Sequence, residues 1–268
     1  MAKRKRSVTP EIIEERIKEG RGQGRGVNYK PWLTIQDVAS TGTCSRIKGW
    51  KTQRIHHLLS ELELSYFYVL EWSLIVNDIR EQYPLLPLTE TQSIAEECGF
   101  RYPTIPGTDN PIIMTTDFVI STNSSLEIVE QARTLKYAWD LQSKRKLEKL
   151  EIERRYWQRR GINWGIVTER EIPKSLVKNV AWLHPFGSRT DLKDMSKWEI
   201  NRINKILTEK IRYSRQSLAE ITAQSDDLLG FIPGTSLSVA RYLLANRTWD
   251  FDINQPIQPQ EPLVLLKP

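Results

Sequence analysis

Two short β-branched runs with a polar turn between them set the tightest limit on the fold. "IIMTTDFVI", residues 112–120, has strand composition, "STNSS" follows as a turn, and "LEIVEQARTLKYA", 126–138, resumes the strand. Runs this close together pair as an antiparallel hairpin. Next, "SKRKLEKLEIERRYWQRRG", 143–161, reads as a helix ended by Gly161, and "INWGIVTE", 162–169, as a short apolar strand. Upstream, "RIHHLLSELELSYFYVLEW", 54–72, puts Leu59, Leu62, Tyr66, Val69 and Leu70 on one helical stripe. "VNDIREQYPL", 76–85, reads as a strand stopped by Pro84. The order helix, three strands, helix, strand predicts an α/β sandwich, a mixed sheet flanked by helices.

After "EREIPKS" the texture turns helical. Ser196 with Glu199 and Ser217 with Glu220 have capping-box spacing, and a further helix is expected from about Ser236. "TWDFDI" is expected as a strand, which makes residues 171–268 a mainly helical, winged-helix-like domain. Its Pro/Gln-rich tail is expected to be extended and ends in "LVLL". Residues 1–170 form the other domain.

Charge narrows the partner. The net charge is +6, but residues 1–30 alone hold nine Lys/Arg against four Glu, and residues 144–160 hold eight against three. Two basic blocks on a near-neutral body suit a polyanion such as nucleic acid, or else a solvated face and a disordered arm. "GRGQGRG", 20–26, lacks the spacing of a phosphate-binding P-loop and reads as a mobile basic loop whose Arg21 and Arg25 could touch phosphates. Lys144, Arg145 and Lys146 are the first choices for DNA contact on the second block. No apolar run approaches the ~20 residues of a membrane span, and "MAKRKR" lacks the apolar core of a secretory signal. With only Cys44 and Cys98 and three histidines, most zinc patterns are excluded. A cytoplasmic protein is expected.

Three polar residues stand where packing alone gives them no reason to be. Glu63 lies beside the apolar stripe, with Leu59 and Phe67 four residues away on either side, and an unpaired buried carboxylate is costly. Asp117 lies inside a predicted strand, and Lys136 on the next one, so the hairpin can bring them together. A plain Asp117–Lys136 core salt bridge accounts for two of the three. All three together have the layout of Mg²⁺-dependent nucleases of the restriction-enzyme fold. Carboxylate oxygens suit Mg²⁺ or Mn²⁺, which lowers the pKa of an attacking water, while a lysine meets the charge developing on phosphate. Glu130 shares a strand face with Lys136 but lies roughly 20 Å away along it. His56 and His57 are expected on the helix surface or facing DNA. Arg80, Glu81 and Gln82 could order the site, contact DNA or form a structural network. Trp139 and Trp157 are expected in the core.

"RIKEGRGQGRG", "YKPWLT", "HHLLSELEL", "DIREQYPLLP", "TTDF" and "KLEKLEIERRYW" resemble the TnsA endonucleases of heteromeric cut-and-paste bacterial transposons. The similarity covers about residues 15–180. It implies a restriction-endonuclease-like nuclease that cuts the 5′ ends of the element, a DDE-type recombinase partner (TnsB-like), and an AAA+ ATPase regulator (TnsC-like) bound through the C-terminal region. By resemblance Glu63 and Asp117 take metal-ligand positions and Lys136 the catalytic lysine position. Thr134 departs, standing where the family has glutamine. The Leu135 carbonyl can still serve as a ligand. Two rivals follow: a weakened nuclease kept as a scaffold between recombinase and ATPase, and a stand-alone repair or junction nuclease. A plain winged-helix DNA binder leaves the three polar residues unexplained.

Overall fold

The computed structural model describes residues 9–38, 43–123, 127–192 and 195–266. The chain divides into two units, residues 1–172 and 173–268.

Unit 1 is built on a four-stranded sheet of order β3-β4-β5-β6. Its strands are β3 (Val76–Pro84), β4 (Thr115–Asn123), β5 (Ile128–Leu135) and β6 (Asn163–Val167). β4 and β5 form the expected antiparallel hairpin, β3 pairs antiparallel with β4, and β6 runs parallel to β5. The sheet is therefore mixed. β4 starts three residues later than expected and extends to Asn123; of the predicted turn, Ser124 and Ser125 lie outside the described residues. Parallel pairing of β6 needs a crossover, and α4 (Lys144–Arg159) supplies it. Gly161 stops that helix at φ +66°, where a side chain would be strained. α4 and α3 (Leu88–Glu97), a helix not expected from the sequence, cover one face of the sheet. Ile94, Val119, Ala132, Ile152 and Trp157 meet there in one core.

The predicted helix over 54–72 is two elements. Residues Ile55–Leu58 are β2, paired antiparallel with β1 (Ser45–Lys48), and the helix α2 begins only at Glu61 and runs to Trp72. Ser60 caps it by accepting the Glu63 N–H at 3.1 Å. The Ser60-x-x-Glu63 spacing is itself a helix-start signal that overrules the apolar stripe upstream.

The "GRGQGRG" segment is docked rather than loose. It follows α1 (Pro10–Lys18), and the Gly22 N–H within it donates to the Lys30 carbonyl beyond it at 2.6 Å. Gly22 sits at φ +78° so close to Pro84 that a Cβ would lie 2.2 Å from its ring. Beyond it the Trp32 N–H donates to the Gln82 carbonyl at 3.1 Å and the Tyr29 hydroxyl to the Glu81 carbonyl at 3.0 Å. The segment thus covers the open edge of β3, which would otherwise invite pairing with another chain.

Unit 2 is helical: α5 (Lys174–Leu183), α6 (Lys197–Tyr213), α7 (Leu218–Leu229) and α8 (Thr235–Ala245). Both predicted capping boxes form, Ser196 with Glu199 and Ser217 with Glu220. "TWDFDI" is not a strand: Trp249 is buried, its indole N–H donating to Asn204 Oδ1 at 2.8 Å, so the predicted wing is missing among the described residues. The tail has no helix or strand. Asn179 holds it, donating to the Ile253 and Gln255 carbonyls at 2.7 Å and accepting the Ile257 N–H at 2.8 Å. No helix among the described residues is long and apolar enough to cross a membrane.

Candidate active site

The sheet splits at Asp117, and the split makes the site. The β4–β5 ladder runs from Asn123–Ile128 to Phe118–Arg133 and stops there, although β5 continues to Leu135. Asp117 Oδ2 takes the freed Leu135 N–H at 2.7 Å. On the other flank the β3–β4 ladder passes from Glu81–Phe118 to Tyr83–Thr116, skipping the facing pair Gln82 and Asp117. Gln82 sits at φ +49°, outside strand geometry. The carboxylate therefore stands in a gap open on both sides, not in a continuous ladder.

Lys136 closes that gap. Its Nζ donates to the Leu135 carbonyl at 2.6 Å and to Asp117 Oδ2 at 3.2 Å. Burial alone pulls the lysine's pKa down, but Asp117, then Glu153 and Glu63, outweigh it and leave the ammonium more firmly protonated than usual. The expected hairpin pair is thus present.

Glu63 reaches the same pocket from the first turn of α2. Its carboxylate accepts from the Leu59 N–H at 2.8 Å, the Ser60 hydroxyl at 3.0 Å and the Gln82 amide at 3.2 Å. The same amide accepts from the Thr115 hydroxyl at 3.3 Å. Burial first, and repulsion from Asp117 second, push the Glu63 pKa up to about 7. A buried carboxylate whose pKa is raised by a neighbouring carboxylate favours a cation beside it.

Thr134 also lines this pocket, but its hydroxyl is turned towards α4. Its hydroxyl donates to Glu153 Oε1 and receives the Trp164 indole N–H at 3.1 Å. Thr116 mirrors it, donating to the same Oε1 at 2.6 Å and receiving the Trp157 indole N–H at 2.7 Å. Glu153 is enclosed between α4 and the sheet. Burial pushes its pKa up to about 7, only partly offset by the two hydroxyls. It lines the pocket with Glu63, Asp117 and Lys136 and is absent from the sequence-based candidates. The signal was available: Glu153 stands three residues after Leu150 and four before Trp157, on the apolar stripe of its helix, the same logic that selects Glu63.

The neighbouring polar residues are mostly structural. Glu81 is fully buried; Arg54 pairs with it, His56 Nδ1 is 2.8 Å away, and together they hold its carboxyl well below the usual range despite its burial. His56 is therefore a core residue on β2, not a surface histidine on a helix. Arg80 pairs with Glu130, which takes no part in the site. Arg21 is engaged with Glu19 at 2.7 Å and Asp37 at 2.8 Å, and Arg25 with Glu130 at 2.7 Å. Trp157 is core as expected, but Trp139 is 61% exposed.

The basic face of α4 continues outward from the pocket. Arg145 pairs with Glu148 at 2.8 Å and Lys146 with Asp140, whereas Lys144 and Lys149 have no ion pair among the described residues. Lys149, with Pro103, belongs both to the pocket of Glu63, Asp117 and Lys136 and to an adjoining bay that contains Arg101, Arg145 and one acid, Asp109. Partial burial, then Arg145, Lys136 and Lys146, lower the Lys149 pKa. A bound anion would relieve that repulsion.

Among the described residues no three His, Cys, Asp or Glu side chains cluster closely enough to hold a metal by themselves. The available donor set is two carboxylates, Glu63 and Asp117, with the Leu135 carbonyl. Comparison with known proteins matches this organisation. A family model described as TnsA-like endonuclease N terminal matches residues 74–169, and one described as TnsA endonuclease C terminal matches residues 171–253. The Escherichia coli protein named Transposon Tn7 transposition protein TnsA is 41% identical over 253 residues, covering 94% of this chain and 90% of that protein.

Proposed function

The chain belongs to the TnsA endonuclease family, and on that premise we propose that it is the endonuclease of a transposase complex, hydrolysing one DNA strand at each transposon end in a divalent-metal-dependent reaction. The strand is the one carrying the 5′ end of the element, and the products are a 3′-hydroxyl and a 5′-phosphate. The observation that carries this reading is the Lys136 ammonium lying against both Asp117 Oδ2 and the Leu135 carbonyl, at a gap in the sheet that Glu63 also reaches. Those oxygens already attract a cation.

The residues fit Mg²⁺, with Mn²⁺ as its substitute: the donors are hard oxygens, and a positive charge offsets the burial and the Asp117 repulsion that raise the Glu63 pKa. Glu63, Asp117 and the Leu135 carbonyl would hold the ion, which supplies charge to a bound water and to the scissile phosphate. Lys136 stays protonated beside the donors and meets the negative charge that develops on the phosphate oxygens. Water adds at phosphorus, the bond to the 3′ oxygen breaks, and that oxygen leaves with a proton. Gln82 orients Glu63. Thr134 acts by holding Glu153, so an acid from α4 stands near the place where a side chain two residues before the lysine was expected.

Lys144, Arg145, Lys146 and Lys149 are proposed to contact the DNA backbone. A DDE-type recombinase and an AAA+ regulator are the proposed partners, the latter on unit 2, where Phe186, Leu192, Phe231 and Ile232 line an apolar groove. The site of action is proposed to be the bacterial cytoplasm.

The test is strand cleavage of transposon-end DNA in the assembled complex with Mg²⁺. Asp117→Ala and Lys136→Ala are expected to abolish the 5′-strand cut and leave assembly intact. Unchanged products in Glu63→Ala and Asp117→Ala would establish the scaffold instead, and cutting by the purified chain alone would favour a stand-alone nuclease.

A further inference from the structure

Trp139 is the large aromatic side chain nearest in sequence to the proposed catalytic lysine that is left exposed. The chain leaves β5 at Leu135, Lys136 turns to Asp117, and Tyr137 lines the same pocket. A single 3₁₀ turn, Ala138–Gln142, then lays the Trp139 ring on the Tyr137 ring, with centroids 4.2 Å apart and planes 8° from parallel. One face of the indole is thus used, while the side chain as a whole remains 61% exposed.

The turn that carries Trp139 is tied down on several sides. The Lys136 N–H donates to the Val167 carbonyl at 3.1 Å, the Ala138 N–H to Glu169 Oε2 at 2.9 Å, and the Asp140 N–H to the Tyr137 carbonyl at 2.9 Å. Lys146 pairs with Asp140. The indole is therefore preset, and beyond the face laid on Tyr137 its exposure costs apolar surface in water.

Resting on the nuclease reading, we infer that the outer face of Trp139 stacks a nucleobase of the substrate within a nucleotide or two of the scissile phosphate. A π-face accepts any base, as the sequence-tolerant stacking platforms of single-strand binders do. Cations on the pocket that Tyr137 lines, Lys136, Lys146 and Lys149, hold the adjoining backbone and leave the base to the aromatic pair. A base inside a B-form stack has no free face. The substrate must therefore be locally unstacked at the cut, and the enzyme offsets that unstacking with the indole.

The experiment compares two transposon-end substrates in the assembled complex, one fully paired and one mismatched beside the cut. Trp139→Ala is expected to cut the paired substrate roughly 10- to 100-fold more slowly than wild type, while Trp139→Phe retains most of the rate. The mismatch, which removes the unstacking cost, is expected to restore Trp139→Ala towards wild type. An unchanged rate for Trp139→Ala on paired DNA overturns the inference. So does an equal loss on both substrates, which would make Trp139 a structural or partner-protein contact. Failure of wild type to cut either substrate overturns the nuclease reading itself.

Discussion

Replacing Glu153 by glutamine should make the protein more stable at pH 8 and change how its stability responds to pH. The wild-type carboxyl is enclosed, and its pKa rises from 4.5 to about 7 on folding. Between those values the folded state keeps a proton that the unfolded chain has released. Stability contributed by this group is therefore complete below about pH 4.5 and is lost as pH rises to about 7, where the loss levels off at about 3 kcal/mol. Glutamine has no such titration. Its carbonyl can accept from Thr116 and Thr134 as Oε1 does, while its amide hydrogens find no assured acceptor, an offset of about 1 kcal/mol or more. The net expectation is a gain of about 2 kcal/mol at pH 8 and a small loss at pH 5. The assay is urea denaturation of the full chain in EDTA across that range, read as the difference between variant and wild type. The difference cancels other titrating groups, including His57, whose pKa is lowered by burial and whose slope runs the opposite way. A difference independent of pH between 5 and 8, or a variant that loses ground as pH rises, would refute the reasoning.

Three further expectations follow from the same geometry. Gln82→Ala removes a hydrogen bond to a charged carboxylate, so the Mg²⁺ concentration for half-maximal cutting should rise roughly 10-fold or more with the maximal rate less affected; a metal titration of cleavage checks this. Lys149→Met in the Asp117→Ala background should reduce the slope of log binding constant against log salt by about 1 if Lys149 neutralises a phosphate, measured by fluorescence anisotropy with DNA. Arg54→Met leaves Glu81 buried without the partner that donates to both its oxygens and should cost about 3–5 kcal/mol, read by chemical denaturation; a loss below about 1 kcal/mol would show that His56 alone satisfies the carboxylate.

Much of the site is legible along the chain because its residues break local rules. Lys136 and Asp117 are charges within predicted strands, and Glu63 is a charge beside an apolar stripe, so each asks for a partner before any tertiary contact is known. Glu153 breaks the same rule, but it lies in a helix so rich in charge that one more acid attracts no notice. The helix start at Glu61 and the strand at Ile55–Leu58 were hidden for a different reason: a stripe of five apolar residues is compatible with a strand leading into a helix, and only the Ser60 cap decides.

By itself, then, the sequence determined the order of the four strands of the mixed sheet and its crossover helix, the hairpin that joins Asp117 to Lys136, the two capping boxes of unit 2, and the family. These rest on periodicity, turns and caps, which are properties of neighbours in the chain. Only the tertiary structure decided where Thr134 points, that Glu153 is its partner, that the glycine-rich segment seals the edge of β3, and that Trp139 stays in water. It also decided that the sheet opens at Asp117. That opening depends on Gln82 leaving strand geometry on one side and on the β4–β5 ladder ending at Phe118 on the other. Positions far apart in sequence set it together, so no local pattern records it.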